Sequence, residues 1–255
     1  MIEGVRTVAE SGALLFARFA YPPNSLGYCG PDDSASLLEY AAAGHDDPGL
    51  RDLARGFEGA WPYLRLIAAA NHLEDPLDPA VVEAYWIGNT LLERVTMALM
   101  GGSLDERFRR HAGRGWEQIV DSLCAGSVPH HNFHVFSIYP WVGMLRGGLV
   151  DAPLRVLDRC RVRWGQVVTV TGDTAVTLSS PLSWDGSRLR LADPVLEAAR
   201  CSTLSLQPGD WVALHWDWAC ARLAPDQLSA LKSRTRRELQ IAAGVPRPAA
   251  AALLG

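Results

Sequence analysis

No stretch of this chain approaches the roughly 20 consecutive apolar residues that a membrane-crossing helix requires, so no membrane partner is expected. Positive charge is not in excess, and lysine is scarce. Lys232 is the sole lysine, the formal net charge is -4 at pH 7, and the isoelectric point is near 6.0. Without a basic field there is little to hold a phosphate backbone, which argues against nucleic acid. The five cysteines, Cys29, Cys124, Cys160, Cys201 and Cys220, are odd in number and irregular in spacing, which excludes a fully paired disulfide framework and predicts free thiols. The start, MIEGVRTVAESGALLFARFAYPPN, lacks the basic head and small-residue cleavage site of a secretory signal, so a cytoplasmic location is expected. There is also no Gly-x-x-x-x-Gly-Lys phosphate loop, Gly-x-Ser-x-Gly elbow, His-Glu-x-x-His helix or Cys-x-x-Cys pair. Those absences remove the enzyme classes built on these motifs.

What is present is the composition of a folded globular protein: 48% hydrophobic and 20% charged over 255 residues. From about residue 8 to 158 apolar side chains recur every three or four positions, the period of a helix. DPGLRDLARGFEGAWPYLRLIAAANHL would line one face with Leu50, Leu53, Phe57, Trp61, Leu64 and Ile67, and Asp47-Pro48 and Asp78-Pro79 read as helix starts. Further helices are predicted over 34–43, 103–111, 114–124, 132–146 and 153–158, with Asp32 or Asp33 capping the first of these. After Cys160 the pattern turns β-branched and alternating, with TGD and DG turns. LQPGDWVALHWDWACARL reads as a turn and a strand, and APDQLSALKSRTRRELQIAAG as a closing helix. The expected fold class is α+β: an N-terminal all-helical domain over 1–155, then a small OB-like β-barrel with a C-terminal helix over 156–243, and a flexible tail over 244–255.

Chemistry concentrates around Cys160. The stretch CRVRWGQVV is followed by PGDWVALHWDWACARL and a helix. This order resembles the HypC/HybG family of nickel-iron hydrogenase maturation chaperones, whose small barrels read as cysteine, short linker, Gly-x-Val-Val, then Gly-Asp-aromatic-Val-x-x-His and a C-terminal helix. The resemblance covers 158–235, about a third of the chain. It places Cys160 on the family's iron-ligating cysteine and His215 on the histidine that supports it. It implies a non-catalytic carrier for iron as Fe(CN)2CO, working with a HypD-like scaffold, the hydrogenase large subunit, or both. A thiolate is a soft ligand that suits such iron, and a nearby histidine can tune it. In that family the cysteine lies at the extreme N-terminus, whereas Cys160 is internal and is followed by Arg161, Arg163 and Trp164. Those arginines would either meet anionic cyanide ligands or be solvated.

The helical part carries a second polar cluster, SVPHHNFHVFSIYPW. A helix starting near Asn132 would put His130 and His134 four residues apart on one face, a spacing that can hold a metal, with Glu58, Glu83, Cys29 or Asp32 as a third ligand. The alternative is that His131 caps the helix and His134 is a hydrogen-bonded core residue. Glu58 and Glu83, set among large aromatics, are either buried beside partners such as Arg55 or His134, or face solvent. Cys29, in the constrained loop YPPNSLGYCGPDD, is a further candidate ligand or thiol site. This part is similar to an uncharacterised actinobacterial hydrogenase-associated family. Two other functions fit the residues: a non-haem iron enzyme of the helical domain that makes or modifies a diatomic ligand, and a metal-free adaptor that binds a partner through Trp211, Trp216 and Trp218.

Overall fold

The computed structural model describes residues 11–112 and 115–244; the expected tail falls outside these apart from Gly244. The helices run α1 Gly12–Ser25, α2 Ser34–Ala43, α3 Pro48–Arg55, α4 Trp61–Ala70, α5 Pro79–Trp86, α6 Met97–Ala112, α7 Gly115–Cys124, α8 His131–Phe133, α9 Trp141–Arg146 and α10 Asp151–Cys160. Strands β1 Arg163–Thr171, β2 Thr174–Ser179, β3 Leu182–Trp184, β4 Leu189–Leu191, β5 Val195–Arg200, β6 Trp211–His215 and β7 Trp218–Arg222 follow, and α11 Pro225–Ala242 closes the chain. No helix among the described residues is long and apolar enough to cross a membrane.

Local chemistry sets the helix ends. The side chains of Asp33, Asp47 and Asp78 accept the first free N–H groups of α2, α3 and α5, and proline opens the last two, where its missing N–H costs nothing. The apolar run over 50–67 is two helices, α3 and α4, with Phe57 and Ala60 buried in the turn between them. The expected helix over 132–146 also breaks. After α8 the chain makes a π-helical turn over His134–Ile138, and Tyr139 is extended at φ -72° and ψ 150°. Pro140 follows it, and proline disfavours the helical conformation in the residue before it. Helix α1 carries Pro22 and Pro23 in its last turn. Pro23 has no N–H to donate to the carbonyl four residues back, so the Phe19 carbonyl is left for a donor outside the helix.

Five strands close a barrel in the order β1-β2-β5-β7-β6, and β3 and β4 form a separate hairpin. Neighbours are antiparallel except β5 and β7, which run parallel. Val167, Ala175, Ala199, Val212, Leu214 and Ala219 fill the interior. A side chain at Gly165 would press on Leu214 and Thr177, which explains the glycine there. Residues 211–222, read as one strand, are a hairpin. Its turn is Trp216-Asp217, with Trp216 in the left-handed region at φ 52°, a strained conformation for a bulky side chain. Arg161 and Arg163 are neither solvated nor free: both are buried, and they pair with Asp158 at 3.0 Å and Glu197 at 2.9 Å.

The outer face of the barrel packs on the helices. Ala213, Cys220, Ala221 and Leu223 share one apolar cluster with Phe16, Phe19 and Trp86, and Arg18 Nε donates to the Cys220 carbonyl at 2.7 Å. Asn132 fixes the junction. Its Oδ1 accepts from the Val162 N–H at 2.9 Å, and its Nδ2 donates to the Val162 carbonyl at 3.3 Å and to Thr235 Oγ1 on α11 at 3.1 Å. All of this is buried. Asn132→Ala would strand two buried backbone groups at a cost of about 1–3 kcal/mol each, so a loss of about 2–6 kcal/mol is expected in denaturant unfolding. A change below about 0.5 kcal/mol, the level of an ordinary surface substitution, would show that the clamp does not matter.

Candidate metal centre

Three buried donors meet where α8, the end of α10 and the end of β6 come together. One ring nitrogen of His131, one of His215 and the Cys160 Sγ all lie within 4.8 Å of one another, with Cys160 Sγ 3.9 Å from His131 Nε2. A tetrahedral ion with bonds of about 2.0–2.3 Å needs donors about 3.3–3.7 Å apart, so only a small contraction separates this arrangement from a coordination shell.

Each donor is held by chemistry legible nearby. Cys160 is the last residue of α10, and the chain enters β1 three residues later. His215 Nδ1 donates at 2.7 Å to the Phe19 carbonyl, which Pro23 cannot reach with an N–H. That bond puts the proton on Nδ1 and leaves Nε2 with a bare lone pair, fully buried and without a hydrogen-bond partner, as for metal-binding histidines oriented through their other nitrogen. In His131, Nε2–H donates to the Cys160 carbonyl at 2.8 Å and Nδ1 faces the Tyr85 hydroxyl at 3.4 Å. Because a hydroxyl can donate or accept, Tyr85 supports either tautomer, and a shift of the proton to Nδ1 would free Nε2 for an ion. The two imidazoles sit edge to face, with centroids 4.9 Å apart, and Trp86 packs on both.

Without an ion the cluster is neutral. Burial pulls His131 down to about 4 and holds His215 well below its ordinary value. Burial also pushes the Cys160 thiol far up; Cys29 nearby adds to this, and the Trp216 indole N–H facing the sulfur opposes it. One thiol that can become a thiolate and two neutral imidazoles make a donor set for iron, zinc, cobalt or copper rather than for calcium or magnesium. Three protein ligands leave a fourth position open.

The other expected ligands lie elsewhere. His130 Nδ1 accepts the Asn132 N–H at 3.0 Å and caps α8, so its backbone is extended and it shares no helix face with His134. The cap is therefore His130, and His131 turns inward. His134 begins the π-helical turn, with Nδ1 3.2 Å from the Tyr63 hydroxyl. Glu58 is exposed, as is Asp32, and Asp33 provides the α2 cap. Glu83 is half-buried and accepts from Asn89 and Gln227. Cys29 and His134 line a cleft of about 930 Å³ together with Tyr28, Trp61 and Tyr139. This cleft adjoins the centre, since the Tyr28 ring lies 4.5 Å from that of Trp216, the residue after His215. His131 and Asn132 were not foreseen as functional. No sequence signal tells which of two adjacent histidines becomes the cap.

The chain belongs to DUF6390, a family of unknown function, whose profile matches residues 8–247. No curated protein and no solved structure matches it.

Metal binding at this cluster would carry a definite proton cost. Both histidines are already neutral between pH 6 and 8, so the proton that must leave is that of Cys160. Zinc affinity, measured by competition with a chelating dye, should rise about tenfold per pH unit over this window. A flat profile would contradict a thiolate ligand.

Proposed function

We propose that this protein is a HypC-like accessory factor of nickel-iron hydrogenase maturation, a carrier or chaperone in which His131, Cys160 and His215 hold the iron centre bearing cyanide and carbon monoxide. The observation that carries the reading is the convergence of these three buried donors, one of them a nitrogen without any partner. The barrel adds support. Taken in chain order its five strands are arranged 1-2-3-5-4, with the third and fifth parallel, which suits an OB-like barrel. The motif Gly209-Asp210-Trp211-Val212 runs into β6 and ends on His215.

The geometry modifies the family mechanism implied by the resemblance. Cys160 is fixed at a helix end and is 6% exposed, so it acts as a resident ligand rather than as the tip of a mobile arm. The helical part then has a chemical role, because it supplies His131 and, through Phe19 and Tyr85, the hydrogen bonds that orient both imidazoles. The HypD-like scaffold or the hydrogenase large subunit would be the partner, in the cytoplasm.

One observation favours a second reading, a non-haem iron enzyme acting on a diatomic ligand. Three protein ligands, an open fourth position and an adjoining cleft are the pattern of catalytic metal sites. Its ligands would be His131, Cys160 and His215, not His130 and His134. The adaptor reading loses its basis, because Trp216 is buried and Trp211 and Trp218 are half-buried against the helical core.

Anaerobic co-expression with a HypD-like scaffold followed by infrared spectroscopy tests the proposal. Cyanide and carbonyl stretches should appear on the wild-type protein and on His130→Asn, which keeps a capping side chain. They should vanish from Cys160→Ser, His131→Gln and His215→Gln variants that retain the native circular dichroism. Persistence of bands and iron in all three variants would overturn it, and iron without those bands would favour the enzyme.

A further inference from the structure

The three donors of the centre are between 0 and 7% exposed, so a hydrated ion cannot reach them directly without losing its water in apolar surroundings, which is costly. Something must strip and partly neutralise the ion first. Cys29 is the side chain placed to do so. It is half-buried, lines the solvent-reached cleft, and follows Tyr28, whose ring rests on Trp216 beside His215. Tyr139 lines the same cleft, close enough to both Cys160 and Cys29 to feel their charge.

The turn that carries Cys29 is built to hold it there. Asn24 Nδ2 donates to the Cys29 carbonyl at 2.7 Å and to the Pro31 carbonyl at 2.6 Å. Gly30 is left-handed at φ 87°, and any side chain there would collide with the Phe57 ring. The inner end of the path is marked independently by a fully buried nitrogen without a hydrogen-bond partner, His215 Nε2. Cys29 itself is outside the set of donors within 4.8 Å, which suits a way-station better than a permanent ligand.

We propose that Cys29 is the capture ligand for a soft divalent metal ion, which binds its thiolate in the cleft and passes inward to Cys160, His131 and His215. The inference rests on the metal centre proposed above. The exchange balances: capture releases the Cys29 proton to water, and in the inward step the metal–sulfur bond to Cys29 breaks as that to Cys160 forms. The proton leaving the Cys160 thiol returns to the Cys29 sulfur. Release to a partner's thiolate reverses the sequence.

Cobalt(II) alone is the probe, followed by stopped-flow absorption on the full-length chain under anaerobic conditions. Cys29→Ser, which leaves the backbone hydrogen bonds of the turn in place, should slow both uptake and release to a chelator by about tenfold or more. Its final cobalt spectrum and its affinity, within about twofold, should match the wild type, as should all properties of Cys124→Ser. Equal rates in Cys29→Ser and wild type would overturn the relay. So would weakened affinity with lost thiolate-to-cobalt absorption, which would make Cys29 a permanent ligand. Failure of the wild type to bind cobalt at all would instead sink the metal centre itself, a result the Cys160→Ser control separates from loss of the relay.

Discussion

The amide of Asn132 is the constraint on which the site depends. By holding both backbone groups of Val162 and the hydroxyl of Thr235, it fastens the short helix α8 to the start of the barrel and to the last helix at one point. His131, next to Asn132, and Cys160, two residues before Val162, are brought together as a result. On the opposite side the proline-freed carbonyl of Phe19 takes the His215 ring. The centre is therefore a product of the seam between helices and barrel. Its donors come from three elements that have no local sequence relation to one another.

Much of the fold was legible because its signals are local. Asp-Pro pairs mark helix starts, since an aspartate accepts free N–H groups and a following proline has none to lose. TGD and DG mark tight turns because glycine tolerates a positive φ. Where the physics is not local the reading failed. The β6–β7 turn carries Trp216 in a conformation that glycine or asparagine would adopt more easily, so nothing in the sequence announces it. The helix over 132–146 breaks at Tyr139 through a proline that a purely periodic reading passes over.

The site was legible to the same degree. Cys160 and His215 stand out through their order around Gly-x-Val-Val and Gly-Asp-Trp-Val, and the structure places them together. The metal spacing seen in His130 and His134 assumed a continuous helix that begins early enough to include both. Because His130 spends its Nδ1 on the cap, the inward role falls to His131. Arg161 and Arg163 mislead for a related reason: charge in a sequence suggests solvent, yet each guanidinium here is buried against a carboxylate. A sequence shows the charges and not the pairing.

The spacing of the donors at residues 131, 160 and 215 also bears on when the three can first meet. During synthesis the first two emerge well before the third, and Thr235, which anchors Asn132, emerges later still. A ribosome-bound fragment lacking β6 holds two members of this cluster, His131 and Cys160, and not the third. The cluster thus assembles only once nearly the whole polypeptide has been made, and its geometry depends on the far helix.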